Sequence, residues 1–204
     1  MKKLLFVVII WLTFIKSVIA DPVELGLKGG FNFSNLGGDV FSVFNYGSKV
    51  GFAGGVLLNF RMSESFFLQP EAYYTMKGQT SNYSPSSGIT SFTLSFNYIE
   101  IPILLKREFS LGAENSMSIY AGPYTAFLLN ATISYTGMSA PPGADASRST
   151  SNPDFGLSLG AELELKKYLI DVRYDHGIIP ISNFPGGFSI GNNVFSVSVG
   201  YLIL

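Results

Sequence analysis

The chain has no cysteine, one histidine (His176), one tryptophan (Trp11) and only 13% charged residues. The missing cysteine excludes a disulfide framework, thiolate metal sites and lipid attachment through an N-terminal cysteine. A single histidine leaves no ligand set for a transition-metal centre, and no calcium-loop pattern occurs. Neither a metal nor a cofactor is therefore expected. Soluble domains carry about 25% charged residues, so the low charge is itself a signal. No basic patch interrupts it, which argues against nucleic acid as a partner. Beyond the first twenty residues no apolar run reaches about 18 residues, so a transmembrane helix is excluded.

What is present begins with "MKKLLFVVIIWLTFIKSVIA". Lys2 and Lys3 precede an apolar stretch over 4–15, and Val18 and Ala20 are small residues at cleavage-site spacing. This predicts a secretory signal peptide over 1–20, cut after Ala20, followed by one domain over 21–204. The apolar stretch is short for a membrane anchor, and Lys16 interrupts it. Loss of Lys2, Lys3 and Lys16 from the 13 cationic residues leaves ten against 14 acidic ones, a net charge of about −4. The remaining chain is rich in Phe (18 residues), Tyr (11) and Gly (22). An exported, aromatic-rich, charge-poor chain without a spanning helix points to a β-barrel in a membrane.

Period-2 alternation supports that reading. In "VELGLKGGFNF", Leu25, Leu27, Phe31 and Phe33 share one parity and Glu24, Lys28 and Asn32 the other. The pattern recurs in "VGFAGGVLLNF", "FFLQPEAYYTMK", "DFGLSLGAELEL", "LIDVRYDH" and "VFSVSVGYLIL". Two further segments are less regular. In "NYIEIPILLKREF", Ile99, Ile101, Ile103 and Leu105 oppose Glu100 and Pro102, whereas Phe92, Leu94 and Phe96 upstream have the opposite parity. A bulge near Asn97 would reconcile the two. Pro102 lacks a backbone donor, so a bulge or distortion is expected there as well. "SIYAGPYTAFLLNATISY" is apolar on both parities around Phe127 and Leu128, and its faces cannot be assigned.

The connections between these eight segments alternate between short and long. "MSES" and Lys166–Lys167 are short, while "SNLGGDVFSVFNYGSK", "GQTSNYSPSSGIT", "TGMSAPPGADASRSTSN" and "GIIPISNFPGGFSIGNN" are long. Outer-membrane barrels have short periplasmic turns and long outer loops. The predicted fold is therefore all-β, an eight-stranded antiparallel up-and-down transmembrane β-barrel in the cell outer membrane, with both ends periplasmic. Lipid is its first partner. Aromatics near strand ends (Phe33, Phe60, Tyr74, Tyr168, Tyr174, Tyr201) fit interface girdles. The final outward position is Ile203 rather than the aromatic common in such barrels. A soluble exported lipid-binding β-barrel is the alternative, since alternation alone does not exclude it.

The segments "FFLQPEAYYTMKG", "NYIEIPILLKREF", "YAGPYTAFLLNA", "DFGLSLGAELEL" and "VFSVSVGYLIL" resemble, in this order, the PorT-like family of outer-membrane β-barrels common in Bacteroidetes-type bacteria. The most specific match is Tyr98, Glu100, Ile101, Pro102, Leu104, Leu105 and Lys106. The resemblance spans 23–204. It implies an eight-stranded outer-membrane barrel and no activity, and no catalytic motif travels with it.

Eight strands enclose an interior just filled by side chains. The inward parity collects Glu24, Lys28, Asn59, Glu71, Lys77, Glu100, Glu162, Asp171 and Arg173, while Gly51, Ala53 and Gly55 leave room for Glu71 and Tyr73. Buried charges must be paired, so Lys28, Glu71, Glu100, Glu162, Asp171 and Arg173 are expected to form a structural polar plug, with Arg173 and Lys28 as the natural cations. The functional alternative is a proton or ion path. Outside the lumen, "DVRYDHG" offers Asp175 and His176 at the outer rim, where a hydrolase could place an acid–base pair, although no matching serine can be located. No catalytic residue is assigned. The long loops carry Phe41, Phe44 and Tyr46 in the first, Tyr83 in the second, and Phe184 and Phe188 in the fourth. They are candidates for binding an extracellular ligand or partner protein.

Overall fold

The computed structural model describes residues 23–36, 47–82, 88, 90–138, 141–147, 153–179 and 191–203. The expected signal peptide over 1–20 and the loop aromatics Phe41, Phe44, Tyr46, Tyr83, Phe184 and Phe188 lie outside the described residues. The strands are β1 (Glu24–Leu36), β2 (Lys49–Arg61), β3 (Phe66–Asn82), β4 (Ser91–Ser110), β5 (Asn115–Thr136), β6 (Ala144–Asp145), β7 (Asp154–Leu165), β8 (Tyr168–Gly177) and β9 (Asn192–Leu202). The sheet runs β4-β3-β2-β1-β9-β8-β7-β5, and β4 pairs with β5 to close it. The result is a closed antiparallel barrel of eight strands, with the two-residue β6 appended to the outer end of β5. Closure gives every barrel strand a partner on both sides, which hydrocarbon demands because it offers no water to an unpaired N–H or C=O.

Side chains alternate across the wall. Leu27, Phe31, Val56, Ile103, Leu105, Ile119, Leu159 and Val199 face outward, and Lys28, Glu71, Glu100, Glu162, Asp171 and Arg173 are buried within. The short ends are tight. β7 and β8 are joined by Lys166–Lys167 alone, and Lys166 adopts a left-handed φ of 61°. The barrel also needs its small residues. A Cβ at Gly55 would run into the Ala72 carbonyl oxygen, and one at Gly51 into the carbonyl of Met76 and the Asn32 amide. There the neighbouring strands approach too closely for any side chain.

Two irregularities resolve the segments whose patterning was mixed. A register shift falls between Asn97 and Tyr98 of β4, as expected, but the extra residue belongs to the partner strand. Asn97 pairs with Asn130 and Tyr98 with Leu128, leaving Leu129 of β5 unmatched. β4 itself stays in register with β3 through this point. Its parity therefore never reverses, and Phe96, Tyr98 and Glu100 all face inward and are buried. What reverses is the surroundings. Above the lipid belt Ser91, Thr93, Ser95 and Asn97 face outward, while the interior becomes apolar around Phe96, Tyr98, Tyr124, Ala126 and Ala131. The bulge explains β5 in the same way. Phe127 and Leu129 point outward, whereas Leu128 packs against the inner apolar cluster.

At Pro102 the expected bulge or distortion takes the form of a local distortion and not a bulge, because the register on both sides of it is unchanged. The missing donor shows instead as a local lapse. Pairing with β3 stops over 101–102 and resumes in register. Pro70 and Pro123 sit at similar lapses between β2 and β3 and between β4 and β5. A proline thus removes ladder bonds without displacing the strand, because well-paired residues on either side hold the alignment.

β3, β4 and β5 have 17, 20 and 22 residues, against the roughly 9–11 that a tilted strand needs to span a bilayer. The excess lies at the outer end. Residues 91–97 of β4 alone make about 24 Å of strand at 3.4 Å per residue. They form a sheet that rises beyond the lipid belt, edged by β6.

Candidate functional site: a layered, charged lumen

The interior is built in three layers. Leu57, Leu169 and Leu202 form an apolar cluster toward the periplasmic end. The cluster around Phe96, Tyr98 and Tyr124 occupies the outer end. Between them lies a charged layer contributed by five strands, β1, β3, β4, β7 and β8. Apolar layers above and below keep water from the charges and so strengthen each ion pair.

The lower part of the charged layer is balanced. Arg173 Nη2 lies 2.6 Å from Glu71 Oε2, and its Nε donates to the Tyr120 hydroxyl at 3.1 Å. Lys28 Nζ lies 3.2 Å from both Glu71 and Glu162 and 3.4 Å from Asp171. Lys106 Nζ reaches Glu162 Oε1 at 2.5 Å, and Tyr120 donates to Asp171 at 2.5 Å. Three cations therefore meet three carboxylates. The Arg173 guanidinium also sits 5.3 Å over the Tyr73 ring and 5.2 Å from that of Tyr120, so its faces are used as well as its edges.

The upper part is not balanced. Lys77 Nζ lies 2.6 Å from Glu100 Oε2 and 3.4 Å from Asp154 Oδ2, and it is 4.5 Å from the Tyr124 ring centroid. Asn192 Nδ2 donates to Asp154 at 2.8 Å. Asp175 faces into the lumen, where Ser158 donates to it at 2.5 Å. Here Lys77 pairs with two carboxylates, and the third, Asp175, forms no ion pair among the described residues and has only longer-range attraction from Arg173 and Lys77.

The structure thus gathers all six predicted lumen residues into one layer. It gives Glu100 a different cation from the two singled out in the sequence, namely Lys77. It adds Lys106, Asp154, Ser158, Asp175 and Tyr120. Lys106 shares the parity of Glu100 and was legible in the sequence. Tyr120 was not, because the faces of its strand were ambiguous. The Asp175–His176 pair does not form. Consecutive strand residues point to opposite faces, so Asp175 is buried inside, while the His176 ring stacks on Tyr174 and its Nδ1 lies 2.7 Å from Asn193 Oδ1. Among the described residues no group of three or more His, Cys, Asp or Glu is placed to hold a metal ion.

A closed eight-stranded wall with an apolar exterior and a charge-paired core defines an integral outer-membrane β-barrel. The chain belongs to the family of outer membrane protein beta-barrel domains, whose family model matches residues 19–183, and it resides in the cell outer membrane. No curated protein matches the chain in sequence. Among solved structures, it is similar to Ail, the attachment invasion locus protein of Yersinia pestis, in complex with the heparin analogue sucrose octasulfate. Identity is 13% over 90% of this chain and 100% of that one, with a TM-score of 0.44. Neisserial surface protein A is 13% identical over 88% of this chain and 96% of its own, with a TM-score of 0.47. The outer membrane enzyme PagL is 13% identical over 89% and 100%, also with a TM-score of 0.47.

Proposed function

We propose that this protein is a non-enzymatic outer-membrane barrel whose sealed lumen serves as a rigid structural core, and whose long outer loops and risen β3–β4–β5 sheet bind an extracellular ligand or partner. The observation that carries this reading is the filling of the lumen. Ion-paired side chains occupy its middle, and the cavity left within the polar layer measures only about 20 Å³. That is room for one water molecule, not for a solute path. The six lumen residues Lys28, Glu71, Glu100, Glu162, Asp171 and Arg173 then act by holding the barrel closed. Binding falls to the outer end, where the loop aromatics Phe41, Phe44, Tyr46, Phe184 and Phe188 and the uncharged Ser, Thr and Asn face of the risen sheet are candidates. We assign the chain to the PorT-like, Bacteroidetes-type branch on the Tyr98-to-Lys106 pattern, with a signal peptide removed after Ala20. Planar-bilayer recordings test the sealed core: a silent membrane at saturating protein is expected, and stepwise ohmic conductance overturns it. Glycan-array binding compared between the intact protein and one with its outer loops shortened tests the outer surface.

A further inference from the structure

The imbalance in the upper lumen coincides with an unfilled space. We propose that the cavity beside Glu100 and Asp175 is a binding site for one monovalent alkali cation, which completes the charge of the lumen.

Four observations converge on it. First, the lower cluster closes at three cations to three carboxylates, whereas above it Lys77 is the one cation that pairs with Glu100 and Asp154, and Asp175 has only the longer-range attraction of Arg173 and Lys77. Lys49 does not make up the difference. Its Nζ lies 3.4 Å from the Lys77 carbonyl oxygen and forms no ion pair with these carboxylates. Second, Asp175 is 4% exposed and is held by the Ser158 hydroxyl, with no ion pair among the described residues. A buried carboxylate without a counter-charge is costly in such an interior. Third, a cavity of about 20 Å³ lies against both carboxylates, bordered by Asn32, Tyr73, Ser196 and Ser198. Fourth, two of its lining groups are orphaned. Asn32 Oδ1 and the Tyr73 hydroxyl are buried with no hydrogen-bond partner among the described residues, although the Asn32 amide nitrogen donates to Thr75.

The donor chemistry selects the ion. Carboxylate, amide and hydroxyl oxygens are hard ligands that suit alkali and alkaline-earth cations and not soft metals. Asp171 borders the cavity as well, but its carboxylate is taken by Lys28 and the Tyr120 hydroxyl; Glu100 and Asp175 alone supply less carboxylate than a divalent ion draws on, and the volume admits a single small occupant. Arg173 also borders the cavity, but its guanidinium is directed to Glu71 and Tyr120. A water molecule would satisfy Asn32 and Tyr73 yet leave the charge on Asp175 unmet. A cation does both.

The test uses the full barrel refolded in detergent micelles. Equilibrium dialysis with radioactive sodium, at constant ionic strength in N-methylglucamine chloride, is expected to show one saturable site per chain that excess unlabelled sodium displaces. The urea midpoint for unfolding should rise saturably as N-methylglucamine is exchanged for sodium or potassium. Asp175→Asn, which removes the unpaired charge while keeping the Ser158 bond possible, should abolish that rise. Absence of saturable sodium and potassium binding to the wild-type protein overturns the proposal, whether or not the variant folds. So does a midpoint that depends on pH but not on the alkali cation, which would place a proton on Asp175 instead. A cation-dependent rise that persists unchanged in Asp175→Asn also overturns it.

Discussion

Replacing Arg173 with methionine tests the charged layer most directly. Arg173 and Glu71 are both almost fully buried, at 4% and 3% exposure, and their charged groups are 2.6 Å apart. At an effective dielectric of about 20, that separation corresponds to an attraction of about 6 kcal/mol. Desolvation of two buried ions offsets much of it in the intact protein, so the pair as a whole adds little net stability. Removing one partner is a different perturbation, because the desolvated Glu71 stays behind. The usual cost is about 3–5 kcal/mol. Lys28 remains 3.2 Å from Glu71, which places the expected loss for Arg173→Met near about 3 kcal/mol on that scale. The double variant Arg173→Met, Glu71→Met leaves Lys28 and Lys106 facing Glu162 and Asp171, again in balance. It should regain at least half of the loss. The assay is urea unfolding in micelles, read by the mobility difference between folded and heat-denatured barrel on gels. An Arg173→Met barrel within about 1 kcal/mol of wild type, or a double variant no better than the single one, would falsify the charge-balance argument.

Three further outcomes follow from the wall. Leu159 faces lipid at mid-strand and is 62% exposed, so Leu159→Arg should cost about 2–4 kcal/mol in lipid vesicles; Thr132→Arg on the risen sheet, beyond the hydrocarbon, should change urea stability by no more than about 0.5 kcal/mol. Gly55→Leu forces a side chain against the Ala72 backbone and should leave the protein unable to form the compact, heat-modifiable species on gels. Lys166 holds a left-handed φ in a two-residue turn, so Lys166→Gly should stabilise the barrel by about 1 kcal/mol through relief of strain, measured by the same urea titration; a loss of stability would show that the turn geometry is not strained.

Much of this protein was legible in the chain itself. Alternation in a strand marks two faces, and a membrane barrel gives those faces two different solvents. Leu27 and Lys28, or Val172 and Arg173, therefore announce their sides without any knowledge of the partner strand. Loop lengths announce which end is which, because hairpin turns on one side are short. The change of apolar parity near Asn97 was visible too, but it marked a change of surroundings along β4 and not a bulge in that strand; the extra residue, Leu129, lies on β5.

Tertiary structure alone decided the rest, for a physical reason. Parity says that a side chain points inward but not how high it sits or what stands across the lumen, since both depend on the register of strands far apart in sequence. Lys77 meets Glu100 across adjacent strands, but it meets Asp154 from 77 residues away, and Lys28 meets Glu162 across 134. Only closure of β4 on β5 sets those heights. It turned Asp175 from a rim residue beside His176 into a buried carboxylate short of a cation. The "NYIEIPILLKREF" strand shows both halves of the lesson. Its isoleucines and its glutamate declared two solvents in the sequence. That Glu100 is held by Lys77, and that Pro102 interrupts pairing without shifting register, required the barrel to close around them.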